Sequence, residues 1–174
     1  SPKVPKPIVK KCFLLFVLGV LTGSCDTPSE LIFNELPNEG WPQDQWKTFS
    51  YKNRLADSEA SLYWILRHDN DYPYANIFFI AELTTPKGLT QYDTLNYRLA
   101  NADGSWLGAG MYLHELRLAY MERFLFEEPG NYLFRLRPAV RPNDSVVADS
   151  MLVGLHQIGF CLLYTSDAAD DPTC

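Results

Sequence analysis

Cysteine is scarce in this 174-residue chain, and Cys12, Cys25, Cys161 and Cys174 stand far apart. None shows the C-x2–4-C spacing of a zinc site. Three of them fall in segments read below as lying outside the folded body. Cys161 is therefore expected as a small core residue, with no intramolecular disulfide. Histidine is scarcer still. His68, His114 and His156 form no H-x-x-x-H pair, so the zinc-hydrolase pattern is missing. No serine sits in a G-x-S-x-G turn, and no glycine-rich loop opens a helix, which removes the signatures of α/β-hydrolases and nucleotide-binding folds. Carboxylates are plentiful, but a sequence cannot place two of them at glycosidase separation. The expectation is a protein that is not an enzyme, with no cofactor and no metal; a hydrolase is the weakest reading.

Long apolar runs are also missing. The longest is Cys12 to Leu21, ten residues, half of the roughly 20 that a membrane-spanning helix needs. It carries no polar face, unlike a core helix. Lys3, Lys6, Lys10 and Lys11 precede it, and the small residues Thr22, Gly23 and Ser24 follow it. That is the layout of a secretory signal peptide. Leu21-Thr22-Gly23-Ser24-Cys25 resembles a bacterial lipobox, with the aliphatic residue one place early. Small side chains let a peptidase approach the backbone, and the Cys25 thiol takes the lipid. Several acyl chains, at about 0.8 kcal/mol per buried CH₂, make a stable anchor. Residues 1–24 are expected to be removed and Cys25 to be the lipidated N-terminus. Ordinary secretion, with Cys25 incidental, is the plainer alternative.

The chain opens at Ser1 rather than Met, as a truncated reading frame would. Residues 164–174 change character abruptly and resemble translated adapter read-through; they read as a non-native, disordered tail outside the fold. Residues 25–30 read as a tether and 31–163 as one domain. Residues 25–163 keep 11 of the 15 Lys and Arg and 18 of the 21 Asp and Glu, a net charge of −7. An acidic body is a poor match for nucleic acid, and it adds no electrostatic grip on an anionic membrane. The lipid alone must hold it there.

Aromatic residues are abundant, which favours strands. Strand candidates are Leu31–Phe33, Ser61–Arg67, Asn76–Leu83 and Gln91–Leu99, with a hairpin of Arg123–Phe126 and Asn131–Arg137 around Glu127-Glu128-Pro129-Gly130, and a last strand from Leu155 to Leu162. Residues 45–51 alternate ambiguously. Short strands between Pro, Gly, Asn and Asp clusters predict an all-β, antiparallel, jelly-roll-like sandwich. One helix is expected near 111–120, from Leu113, Leu116 and Tyr120 at helical spacing.

Two segments stand out as candidate sites. Asp69, Asn70 and Asp71 follow His68 and could form a weak ion site, but no EF-hand glycine or twelfth-position glutamate accompanies them. Asp and Asn also build turns by bonding their own backbone, and that reading is preferred. The run from Asn101 to Gly110 gathers Asp103, Gly104, Trp106, Gly108 and Gly110. Asp-Gly suits a tight turn. Either Trp106 plugs one end of the sandwich, or the loop is a partner- or sugar-binding surface with an aromatic anchor. The structural reading is favoured.

Several runs together resemble the gliding-motility lipoprotein GldH family of Bacteroidota: Cys25-Asp26, "LPNEGWPQD" at 36–44, "LRHDNDYPYANIFFIAEL" at 66–83, "YDTLNYRLANADGSWLGAG" at 92–110, "FEEPGNYLFRLRPAVR" at 126–141 and Ile158-Gly159-Phe160. Residues 112–121 and the tail depart from that pattern. The resemblance implies a lipid-anchored protein of the cell envelope, expected in the outer membrane and facing the periplasm. Its expected partners are other envelope proteins of the gliding and type IX secretion machinery. It carries over no catalytic residue. Relatives occur in non-gliding bacteria, so motility itself does not follow. Two functions stay open: a non-catalytic assembly or scaffold lipoprotein, and a carbohydrate-binding sandwich lipoprotein.

Overall fold

The fold is seen in a computed structural model that describes residues 29–140 and 150–164. The described residues form ten strands: β1 (Ser29–Glu35), β2 (Trp41–Pro42), β3 (Lys47–Asn53), β4 (Ser58–Asp69), β5 (Asn76–Thr84), β6 (Thr90–Arg98), β7 (Leu113–Phe126), β8 (Gly130–Pro138), β9 (Met151–Leu152) and β10 (Leu155–Tyr164). One four-stranded sheet has the order β1-β10-β4-β7 and the other β3-β8-β5-β6, with β2 and β9 paired as a short flap. All pairings are antiparallel. Neighbours alternate between early and late strands, which is the strand order of a jelly roll built from two Greek keys.

Period-two alternation decides which side chains go inside. In β4, Ala60, Leu62, Trp64, Leu66 and His68 point inward, and in β8 Tyr132, Phe134 and Leu136 do. The ambiguous alternation at 45–51 resolves as β3, with Phe49 and Tyr51 inside. At the centre Phe134 stacks on Phe160 at 4.4 Å, and Trp64 packs against Phe160 at 5.1 Å and Phe49 at 5.5 Å. The first sheet is also apolar on its outer face. Phe33, Tyr63, Ile65, Cys161 and Leu163 cluster there, roofed by Arg67 4.5 Å above the Phe33 ring and Arg117 5.0 Å above Tyr63. Gly159 is required beneath Phe33, because a Cβ would sit 2.7 Å from the ring. Cys161 is buried as expected. It is also disulfide-bonded, so the expectation of no intramolecular disulfide does not hold.

The helix expected at 111–120 is a correction. Residues 113–126 form β7, fourteen residues paired along β4. Leu113, Leu116 and Tyr120 satisfy a helical period by coincidence. His114, Leu116 and Leu118 satisfy period two, and pairing with β4 buries all three. The register slips between Ala60 and Tyr63, where β7 bulges and Arg123 takes φ 55°. Around this bulge the Tyr120 hydroxyl reaches Asp93 Oδ2 at 3.2 Å, and the Tyr97 hydroxyl donates to Ala119 O at 2.7 Å. These bonds close β7 onto β6 of the other sheet. β1 begins two residues inside the expected tether, and β10 extends to Tyr164, one residue into the expected tail. The signal segment, Cys25 and residues 165–174 lie outside the described residues.

Candidate functional site

The end of the sandwich where β4 finishes and β7 and β10 begin gathers both segments singled out in the sequence. Asp69 closes β4. Its Oδ1 accepts the Asp71 N–H at 2.8 Å, a local Asx bond that turns the chain towards β5. Its Oδ2 pairs with His156 Nε2 at 2.6 Å. Partial burial works against the Asp69 carboxylate, but His156 and the Asp71 N–H outweigh it and hold the group below its ordinary range. Asn70 Oδ1 lies 3.0 Å from His114 Nε2. Asn70 and Asp71 themselves are exposed.

His68 heads the run singled out in the sequence, but its burial and its aromatic neighbours were not foreseen. It is fully buried. Its Nδ1 lies 3.0 Å from the Asp69 carbonyl, so Nδ1 carries the proton and donates. Nε2 then presents a lone pair, and no hydrogen-bond partner meets it among the described residues. The His68 ring is surrounded by aromatic rings: Trp106 in a T-shaped contact at 4.7 Å between centroids, His114 at 5.3 Å and Tyr72 at 5.9 Å. Burial disfavours the imidazolium and pushes the His68 pKa down. All three histidines of the chain therefore meet at one end, on three different strands. No spacing rule could have found them, because only the strand pairing brings them together.

The Asn101–Gly110 segment arches over this group. Asp103 Oδ1 accepts from the Ser105 N–H at 2.9 Å and the Ser105 hydroxyl at 2.6 Å, and these bonds hold its carboxyl below the ordinary range. Asp103 and Gly104 form an exposed turn, Gly104 at φ 86°. Trp106 bridges to Ala100 and is half-buried against the core. Gly108 and Gly110 have φ 92° and 120°, and a Cβ on either would overlap the carbonyl of Glu115 or Leu113. The backbone there is pinned to β7 by Ala109 N–H to Glu115 O at 3.0 Å and the reciprocal bond at 2.8 Å. Beyond the pin the chain projects Met111 and Tyr112, exposed by 78% and 79%. Among the described residues no group of three or more His, Cys, Asp or Glu side chains is placed to hold a metal ion. The imidazoles are committed to a turn and an aromatic box. The chemistry on offer is an apolar ridge on a rigid, glycine-pinned base.

The opposite end carries two open clefts. One, of about 340 Å³, lies between Glu30, Tyr51, Leu55 and Tyr164, where the hydroxyls of Tyr51 and Tyr164 hydrogen-bond to each other. The other, of about 360 Å³, lies between Leu83, Leu89, Phe124, Leu125 and Tyr132. Neither touches the Trp106 loop.

The fold is an all-β jelly-roll sandwich with Trp106 half-buried at one end and Met111 and Tyr112 exposed beside it. The chain belongs to the GldH lipoprotein family, whose model matches residues 32–162. It is 32% identical over 155 residues to the gliding motility lipoprotein GldH of Flavobacterium johnsoniae, covering 87% of this chain and 95% of that one. It is 31% identical over 150 residues to the GldH homolog of Christiangramia forsetii, covering 85% and 91%. A distant likeness to VP2 in the subviral particle of infectious bursal disease virus has a TM-score of 0.35 at 12% identity. It covers 81% of this chain, which spans about a third (32%) of VP2. The family's name describes a lipid-anchored envelope protein and states no activity.

Proposed function

We propose that this protein is a non-catalytic lipoprotein of the cell envelope, anchored through acylated Cys25 and facing the periplasm from the outer membrane. There it serves as an assembly component of the gliding and type IX secretion machinery. The observation that carries the assembly role is the Met111–Tyr112 ridge. Two large apolar side chains stand almost fully exposed on a loop whose base is fixed by Gly108, Gly110 and the Ala109–Glu115 bonds. A partner surface of this kind gains affinity from apolar anchors that need no reordering on binding. The acidic body, at −7 over residues 25–163, leaves nucleic acid out of the reading.

The test is a deletion strain complemented with Met111→Asp/Tyr112→Asp and scored for spreading, for secreted cargo and for in-cell crosslinks. The variant should reach wild-type levels, keep its melting temperature and lose both crosslinks and spreading. Full complementation would sink the assembly role of the ridge. The exposed Tyr112 also suits a sugar ring, so the carbohydrate-binding reading is tested on a glycan array, which should be blank.

A further inference from the structure

We propose that the end of the sandwich where β1 begins rests directly on the lipid surface, with Leu55, Leu89 and Leu125 dipping among the headgroups. This rests on the reading of Cys25 as the acylated residue. Strand registers place the three leucines at one end of the sandwich. β1 enters beside the end of β10, and the end of β10 lies beside the start of β4. The start of β4 pairs with the end of β7, with Glu59 opposite Leu125. Leu55 tips the β3–β4 loop and Leu89 the β5–β6 turn, at the same end. Their exposures are 69% for Leu55, 68% for Leu89 and 47% for Leu125. Loop tips favour Gly, Pro, Asn, Asp and Ser, and a single exposed leucine needs no explanation. Three at one end, each on the lip of a cleft, form a footprint: Leu55 shares its cleft with Glu30, and Leu89 and Leu125 share theirs with Phe124.

The tether decides what covers this footprint. Four residue steps separate Cys25 from Ser29, a span of at most about 14 Å when fully extended. β4 alone runs twelve residues from this end to the other, roughly 36–40 Å. With Cys25 held at the bilayer, the near end stays within reach of the headgroups. The Met111–Tyr112 ridge cannot share that contact while the sandwich stands upright. Lys52 and Arg54 line the Leu55 cleft and Lys87 the Leu89 cleft, while Glu30, Glu127 and Glu128 stand among them. Both signs are present, so apolar contact has to do the holding. The orientation leaves the opposite end, with its ridge, pointing away from the membrane.

The mature, full-length lipoprotein, carrying ¹³C-methyl leucine, is reconstituted in phosphatidylcholine bicelles doped with a doxyl-labelled lipid. Intact mass first reports whether Cys25 carries acyl chains. The Leu55, Leu89 and Leu125 methyl signals should broaden several-fold more than those of Leu107 and Leu113 at the far end. Acylated protein with equal broadening at both ends, or more at Leu113, overturns the orientation and leaves the anchor standing. Absence of acyl mass sinks the anchor and the orientation with it. Shifts of the three methyls that follow protein concentration, without the spin label, would assign the footprint to a second copy and overturn the lipid contact. Leu55→Ser/Leu89→Ser, both at exposed positions, should melt normally and lose the hydrogen-exchange protection that bicelles confer on 54–57.

Discussion

Replacing Trp106 with alanine tests the central geometry of the candidate site. Truncating a fully buried Trp costs about 3–5 kcal/mol. Trp106 is only half-buried, so about half of that is removed from apolar contact, and ~2 kcal/mol is expected. For a domain of this size ~2 kcal/mol lowers Tm by about 4–8 °C. A second readout is specific to this site. Burial holds the His68 pKa below its ordinary value of 6.5. The unfolded chain then takes up a proton that the folded protein refuses, so stability is fully present above pH 6.5. It is lost progressively as pH falls from there towards the lower folded value. Trp106→Ala opens His68 Nε2 to water, raises its folded pKa and flattens that acid slope. Thermal melts give the Tm difference, and urea melts of wild type and variant between pH 8 and pH 5 give the acid slope. A Tm within about 1 °C of wild type, with an unchanged acid slope, would refute the plug. Unchanged melts with lost crosslinks would move Trp106 from the fold to the partner surface.

Further predictions follow from single contacts. His68→Gln should flatten the wild-type slope between pH 6.5 and pH 5 in the same melts, and a slope as steep as wild type would assign it elsewhere. Below that range Asp69, held under its ordinary 3.8, stabilises the fold above that value and is lost as pH falls through its folded pKa; Asp69→Asn should remove this last acid step. Gly110→Ala puts a Cβ against the Leu113 carbonyl at φ 120° and should cost about 1–3 kcal/mol, whereas Gly104→Ala, open on all sides, should cost only the positive-φ strain. Cys25→Ala should abolish fatty-acid labelling and move the protein to the soluble fraction. High salt should release almost none of the wild type from membranes, because screening acts only on charge contacts.

The β class was legible in the sequence because alternation is a local property. Ser61–Arg67, Asn76–Leu83, Gln91–Leu99 and the hairpin around Glu127–Gly130 each announce a strand through a few neighbouring side chains. Each lies in or overlaps a strand of the fold. The N-terminal address is local in the same sense, since lysines, an apolar run, small residues and Cys25 stand in one line. Residues 113–120 were not legible, because two periods fit the same letters. Only a vacant edge beside β4 selects the one that buries His114, Leu116 and Leu118. The meeting of His68, His114 and His156 at one end, and the placing of Leu55, Leu89 and Leu125 at the other, are beyond any local pattern. Those residues are joined by antiparallel pairing between strands remote in the chain, as Ser29 is joined to Leu163. Such pairing is settled by the burial of whole sheet faces against one another. Local residue types therefore determined what kind of protein this is, and the closing of the jelly roll decided which side chains share an end and could act together.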